Sequence, residues 1–201
     1  YLIVMPIGIN GNGTITGVIV GGLPDGIVDT DMLAANAVTP AKASGIGGKF
    51  ASYAIIADQK ANDVDGGTFT TGAWRTRDLN TELADPDGIV SISSNQFTLQ
   101  AGSYLIEAQA PCFQGNRHMI KLYQTSGTPA DIAFGTGEYA NSSYSGNTSS
   151  FLKVRVTISS ATTYEIRHRN AATRTTLGFG LGSDFDNNTE LYTVVKIFKE
   201  V

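Results

Sequence analysis

Cysteine is almost missing from this sequence. Cys112 is the single one in 201 residues, which leaves no intrachain disulfide and no Cys-based zinc site. Histidine is nearly as scarce. His118 and His168 are the only two, so a transition-metal site or a nucleophile–base pair has few residues to draw on. Charge is sparse, at 16% Asp, Glu, Lys and Arg against about 25% in an ordinary globular chain. The net charge is −4, and non-specific nucleic-acid binding needs a basic face, so no nucleic-acid partner is expected. No run approaches the ~20 consecutive apolar residues of a membrane helix. The apolar start, residues 1–7, is short and contains Pro6, and no membrane insertion is expected. The chain opens at Tyr1 rather than Met, without a basic start before a small-residue cleavage site. It therefore reads as a fragment or processed product with no signal peptide.

Catalytic motifs are missing too. Gly8, Gly11 and Gly13 do not keep the GxGxxG spacing, and no P-loop lysine follows them, so they read as turns. No G-x-S-x-G elbow accompanies the two histidines, which are read as structural. Cys112, after Pro111, reads as buried and inert. Glu107, Glu138 and Glu165 fall on separate segments, and glycoside cleavage needs two carboxylates across one groove. No enzyme, no cofactor and no metal site is expected. Asp184, Asp186, Asn187 and Asn188 crowd oxygen ligands of the kind calcium takes, but the EF-hand register fails, and calcium at that loop is left open.

What fills the sequence is Gly, Ser, Thr and Asn, 72 of the 201 residues. That mixture suits strands and tight turns and disfavours long helices. Residues 1–52 are the more Gly-rich part. They hold five charged groups and small apolar clusters such as Ile15 and Val18–Val20, with one or two helical turns possible over residues 30–35, capped by Thr30 or Asp31. None of these clusters can bury a core alone, so this segment is expected to pack against identical copies of itself. Residues 53–201 carry strand patterns instead. Leu152, Val154, Val156 and Ile158 share one face, and Phe151, Lys153, Arg155 and Thr157 the other. Tyr164, Ile166 and His168 alternate with Glu165, Arg167 and Arg169 in the same way. Near the end, Leu191, Thr193, Val195 and Ile197 face one side, while Tyr192, Val194 and Phe198 face the other. Further strands fit residues 54–57, 67–77, 90–92, 96–99, 102–110, 118–123 and 130–135. About ten short strands with turns every ~8–12 positions predict an all-β sandwich or jelly roll. If successive strands run antiparallel across its full height, the longer loops 111–117, 137–148 and 170–189 share one end. The short turns 125–129 and 159–162 share the other, with the C-terminus.

Residues 67–201 resemble the small trimeric heads that end bacteriophage and cyanophage tail fibres, which are jelly rolls of the tumour-necrosis-factor and complement-globular-head type. The resemblance is carried by Phe69, Trp74, Arg75, Arg77, Leu79 and Asn80 within 69–80, by Phe97, Leu99, Gly102 and Tyr104 within 96–104, by Asn116, Arg117 and His118, and by Leu191 and Tyr192 followed by Val195 through Glu200. Residues 31–42 resemble the stalk repeats upstream of such heads. The resemblance implies a jelly-roll β-sandwich head at 53–201, preceded by a Gly-rich trimeric stalk at 1–52. It also implies a homotrimer, with Tyr192, Val194 and Phe198 as candidate axial contacts. The expected role is a non-enzymatic distal tail fibre, located in the virion and made in the bacterial host cytoplasm. Its expected partners are other virion tail proteins and a host surface glycan or protein. Candidate receptor-binding residues are Arg117, Tyr139, Asn141, Tyr144, Asn147, Arg174 and Asp184, since aromatic faces among short polar side chains suit adaptable contacts on loops held by a rigid frame. The alternatives are a structural trimerising cap or connector of the tail and, third, a surface-polysaccharide depolymerase.

Overall fold

The computed structural model describes residues 48–201 and, before them, residues 8–9 and 15–16. The chain divides into two compact units, Tyr1–Gly47 and Gly48–Val201. In the first, β1 (Gly8–Ile9) pairs antiparallel with β2 (Ile15–Thr16), Ile9 opposite Ile15. The helical turns expected over residues 30–35 and the stalk-like repeat at 31–42 lie outside the described residues.

The second unit is built of strands, and no helix occurs among the described residues. Its strands are β3 (Phe50–Lys60), β4 (Arg75–Thr76), β5 (Thr81–Ala84), β6 (Val90–Ser93), β7 (Gln96–Leu99), β8 (Gly102–Phe113), β9 (Asn116–Gln124), β10 (Ala130–Phe134), β11 (Glu138–Ala140), β12 (Asn147–Ile158), β13 (Thr162–Asn170) and β14 (Glu190–Glu200). One sheet has the order β12-β8-β14-β3-β5; the other runs β10-β9-β13-β7-β6, with β11 added to β9 and β4 to β13. Successive long strands cross between the sheets, from β8 to β9 and from β12 to β13 to β14, which makes a jelly-roll sandwich. The alternation read from sequence is what the sheets use. Leu152 and Val156 turn inward, while Phe151, Lys153, Arg155 and Thr157 face out, along an unbroken antiparallel register from Asn147 opposite Phe113 to Ile158 opposite Gly102. Between the sheets Ile56, Phe97, Leu99, Tyr104, Ile106, Ile120, Leu122, Ile166, Val195 and Ile197 have no exposed surface. Each such side chain contributes about 1.5–3 kcal/mol through burial.

Four local expectations change. Residues 111–117 are not a long loop: β8 runs to Phe113 and β9 starts at Asn116, which leaves a two-residue turn and puts Arg117 on a strand. β3 starts at Phe50, so residues 50–52 belong to the head sheet rather than to the segment before it; the Phe50 ring packs on Phe198 at 5.2 Å between centroids. Residues 67–77 are not one strand. Only Arg75–Thr76 joins a sheet, with an isolated bridge at Phe69, because Gly72 turns the chain at φ +97°. Tyr192 does not face outward with Val194 and Phe198. The β14 register slips between Leu191 and Val194, a bulge that leaves two residues turned inward in succession, so Tyr192 and Thr193 are both buried. The Tyr192 hydroxyl donates to the Val64 carbonyl at 2.7 Å, and Leu191 is exposed in its place.

Candidate functional site

The register places the ends of the sandwich. At one end Gly102 lies opposite Ile158 and Thr162 opposite Leu99, and the Val201 amide donates to the Lys49 carbonyl. The chain therefore enters and leaves the head beside the short turns. At the other end Phe113 lies opposite Asn147, His118 opposite Asn170 and Lys60 opposite Glu190. The long connections 61–74, 135–146 and 171–189 all join strands there.

Two of the sequence candidates meet at this end. β11 adds to β9 with Tyr139 opposite Arg117, and both side chains are exposed. They line a cleft of about 800 Å³ together with Thr71, Glu138, Arg169 and Asn170. Arg169 is, in the sequence, only an outward-facing strand residue. It sits on the outward face of β13 opposite Met119, so the cleft has two guanidinium groups, Arg117 and Arg169, and one tyrosine face. Such a surface suits bidentate contact with carboxylate groups and stacking.

The other candidates have different surroundings. Asn141 Oδ1 accepts from the Ser143 and Tyr144 amides at 2.8 and 3.1 Å, an Asx turn that shapes the loop. Arg174 Nε donates to the Gln114 carbonyl at 2.8 Å, and its Nη2 donates to the Ser142 carbonyl. Arg174 thus pins two loops together and has less of its guanidinium left for a ligand. Tyr144 projects from that pinned loop with 76% of its surface exposed, and Asn147 is exposed at the start of β12. Asp184 belongs to a separate loop. Its Oδ1 accepts from Asn62 Nδ2 at 3.0 Å, and its own amide donates to Glu190 Oε1 at 3.0 Å. The Ser183 amide donates to the same carboxylate at 2.9 Å. These donors hold the Glu190 carboxyl below its ordinary pKa, the Asp184 amide most of all.

Beneath the cleft the fold assembles something the spacing conceals. Cys112 on β8, His118 on β9 and His168 on β13 are all buried, and one ligand atom from each lies within 4.8 Å of the others. His118 Nδ1 is 3.0 Å from His168 Nε2, and His118 Nε2 is 2.8 Å from Thr148 Oγ1. Asn170 Nδ2 donates to Cys112 Sγ at 3.1 Å. Burial pushes the His118 pKa down to about 4 and the Cys112 thiol up to about 11. Burial also drives His168 well below the ordinary histidine value, with Arg77 and His118 adding to the effect. Among the described residues this is the one group of three His, Cys, Asp or Glu donors that converges closely enough to hold an ion, and it is not the Asp184–Asn188 loop. The visible signal in the sequence is His168 on the otherwise apolar inward face of a strand whose other face is charged.

The two packed sheets and their strand order define a fold class: an all-β jelly-roll sandwich with its long loops at one end. No family model matches the sequence, and no curated protein matches it. Among solved structures, murine APRIL at pH 5.0 is similar with a TM-score of 0.50 at 8% identity, over 73% of this chain and 98% of that one. The globular domain of zebrafish complement 1qA protein gives a TM-score of 0.48 at 15% identity, over 74% of this chain and 96% of that one. Eiger TNF from S. frugiperda gives 0.49 at 11% identity, over 75% and 92%. At such identities the likeness is one of fold.

Proposed function

We propose that this chain is a non-enzymatic receptor-binding head that works as a homotrimer, and that its setting is the distal end of a bacteriophage tail fibre. The observation that carries the receptor-binding reading is the sorting of loops. Every long connection of the head lies at the end opposite the one where the chain enters and leaves. A head mounted by its short-turn end presents those loops outward. The trimer is supported by a groove of about 560 Å³ where the outer face of β12, β8 and β14 meets the end of β10; Phe134 of β10 lies there with Phe151 and Val194, exposed or half-exposed beside Glu107, Lys153 and Lys196. Apolar rings in a charged rim mark a surface that packs on another protein. Val194 and Phe198 keep their place as candidate contacts; Tyr192 does not. The viral setting rests on the resemblance of residues 67–201 to tail-fibre heads. Location in the virion and synthesis in the bacterial host cytoplasm follow from that resemblance alone.

The receptor class favoured by Arg117, Arg169 and Tyr139 is an acidic surface glycan, bound by three tips at once so that weak contacts add up. The test uses the purified chain. It is expected to sediment as a trimer, to bind host cells, and to compete with virus adsorption, with acidic polysaccharide displacing it better than neutral polysaccharide. Absence of both cell binding and competition would overturn the receptor role. Release of oligosaccharides from the polysaccharide would favour a depolymerase instead.

A further inference from the structure

We infer that Cys112, His118 and His168 form a structural site for a zinc-class metal ion beneath the loop-bearing end of the head. Counting cysteines suggested that no zinc site was possible, but a single thiolate completed by two imidazoles is a sufficient soft and borderline donor set.

The geometry is close to what an ion requires. Zn–N bonds of about 2.0–2.1 Å and a Zn–S bond of about 2.3 Å in a tetrahedral arrangement put ligand atoms about 3.3–3.6 Å apart. Here the facing nitrogens, His118 Nδ1 and His168 Nε2, are 3.0 Å apart, and all three donor atoms lie within 4.8 Å of one another. Shifts of a few tenths of an ångström to about one ångström admit the ion. The outer partners fit the same reading. Metal-bound imidazoles use their second nitrogen in a hydrogen bond that fixes the ring, and His118 Nε2 has Thr148 Oγ1 at 2.8 Å. Sγ receives the Asn170 amide. A β-carbon at Gly115 would fall 2.2 Å from Sγ and 2.6 Å from Asn170 Nδ2, so glycine is what lets the backbone approach the sulfur.

One buried polar atom beside the sulfur lacks any hydrogen-bond partner, Asn170 Oδ1. Buried polar groups are nearly always paired, and an orphaned carbonyl-type oxygen beside a His–His–Cys cluster marks a site that is not a self-sufficient hydrogen-bond network. Asn170, already against Sγ, is the candidate fourth ligand through its amide oxygen. Binding converts the Cys112 thiol to a thiolate and releases its proton to water. The ion would clamp β8, β9 and β13 at the end where the cleft lies.

The experiment is metal loading of the whole chain. Because the donors are buried, the protein is unfolded with a chelator, then refolded without metal or with Co(II), Zn(II) or Ca(II). The expected result is one Co(II) per chain, with the visible bands of a tetrahedral centre and a thiolate-to-cobalt charge-transfer band. Zinc should bleach both and raise Tm by about 5–10 °C, and calcium should do neither. Cys112→Ser should lose the charge-transfer band, and His168→Gln should lose tight binding. If these variants fail to fold, the wild-type band still decides, because the chain has one cysteine. Refolding with Co(II) and Zn(II) that leaves spectrum and Tm unchanged would overturn the proposal. So would cobalt binding without a thiolate band.

Discussion

Arg77 has no exposed surface, yet it carries a charge. Its Nε donates to Thr193 Oγ1 at 2.7 Å, Nη1 to the Pro111 carbonyl at 3.2 Å and Nη2 to the Phe179 carbonyl at 2.8 Å. Its guanidinium carbon sits 4.2 Å over the centre of the Phe179 ring. Burial lowers its pKa to about 10, which leaves it charged at neutral pH. Replacing Arg77 with Met strands three acceptors and removes a positive charge that acts on buried Asp58 together with its direct ion-pair partner Lys60. The expected loss is about 3–5 kcal/mol, read from urea unfolding, with Arg77→Lys recovering part of it. Glu190 gives a pH-dependent counterpart. Its folded-state pKa is depressed, so its contribution is present above the ordinary carboxylate value of about 4.3 and fades as pH falls through the lower folded value. Hydrogen exchange at the Ser183 and Asp184 amides should therefore accelerate below about pH 4.3, whereas Glu190→Gln should show the acceleration at neutral pH as well. Neither role could be read from local sequence. An arginine after a Trp-Arg-Thr run looks like a surface residue until β14 and the 177–180 segment close over it.

At the scale of elements, long strands that alternate through several periods are legible, whereas β3, whose eleven residues do not alternate, shows in the sequence only as 54–57. β12 has twelve residues and β13 has nine. The missed strands, β5 with four residues and β11 with three, span too few periods to stand apart from a polar loop. β11 matters most, since it brings Tyr139 opposite Arg117. The loop that follows is held by the Asn141 turn and by Arg174. Arg174→Ala should cost only about 1 kcal/mol of global stability per lost hydrogen bond, yet it should expose residues 141–146 to limited proteolysis. In the cleft, replacing Arg117 and Arg169 with Ala should each weaken glycan or cell binding by about tenfold or more, with an unchanged melting curve. A matching loss of thermal stability would reassign them to the frame.

For the whole molecule the decisive surface is the outer face of β12, β8 and β14. Phe151 on it is 52% exposed, and Phe134, at the end of β10 beside its edge, is 55% exposed. Rings left open beside the Lys153–Glu107 ion pair explain why a lone copy is not expected to be the working form. Phe151→Arg should convert a sedimenting trimer into monomers at micromolar concentration and abolish avidity. The single-tip contact, with Tyr144 and the Arg117 cleft untouched, should remain measurable at high protein concentration. A wild-type chain that sediments as a monomer would remove the support for three-tip binding.

The sequence alone determined the all-β class, the inward faces of the long strands and the inequality of the loops, because alternation and turn chemistry are local and repeat within a few residues. It also placed the loops 137–148 and 170–189 at one end, since antiparallel succession follows from strand count, but it counted 111–117 among the long loops, where only a two-residue turn stands. Only the tertiary structure decided that Tyr192 turns inward, that Arg77 is sealed off from water, and that Cys112, His118 and His168 converge. Those outcomes depend on a one-residue bulge and on the registers between strands, His118 meeting His168 across 50 residues of chain. Pairing across that distance is set by how two sheets pack, and no local pattern encodes it.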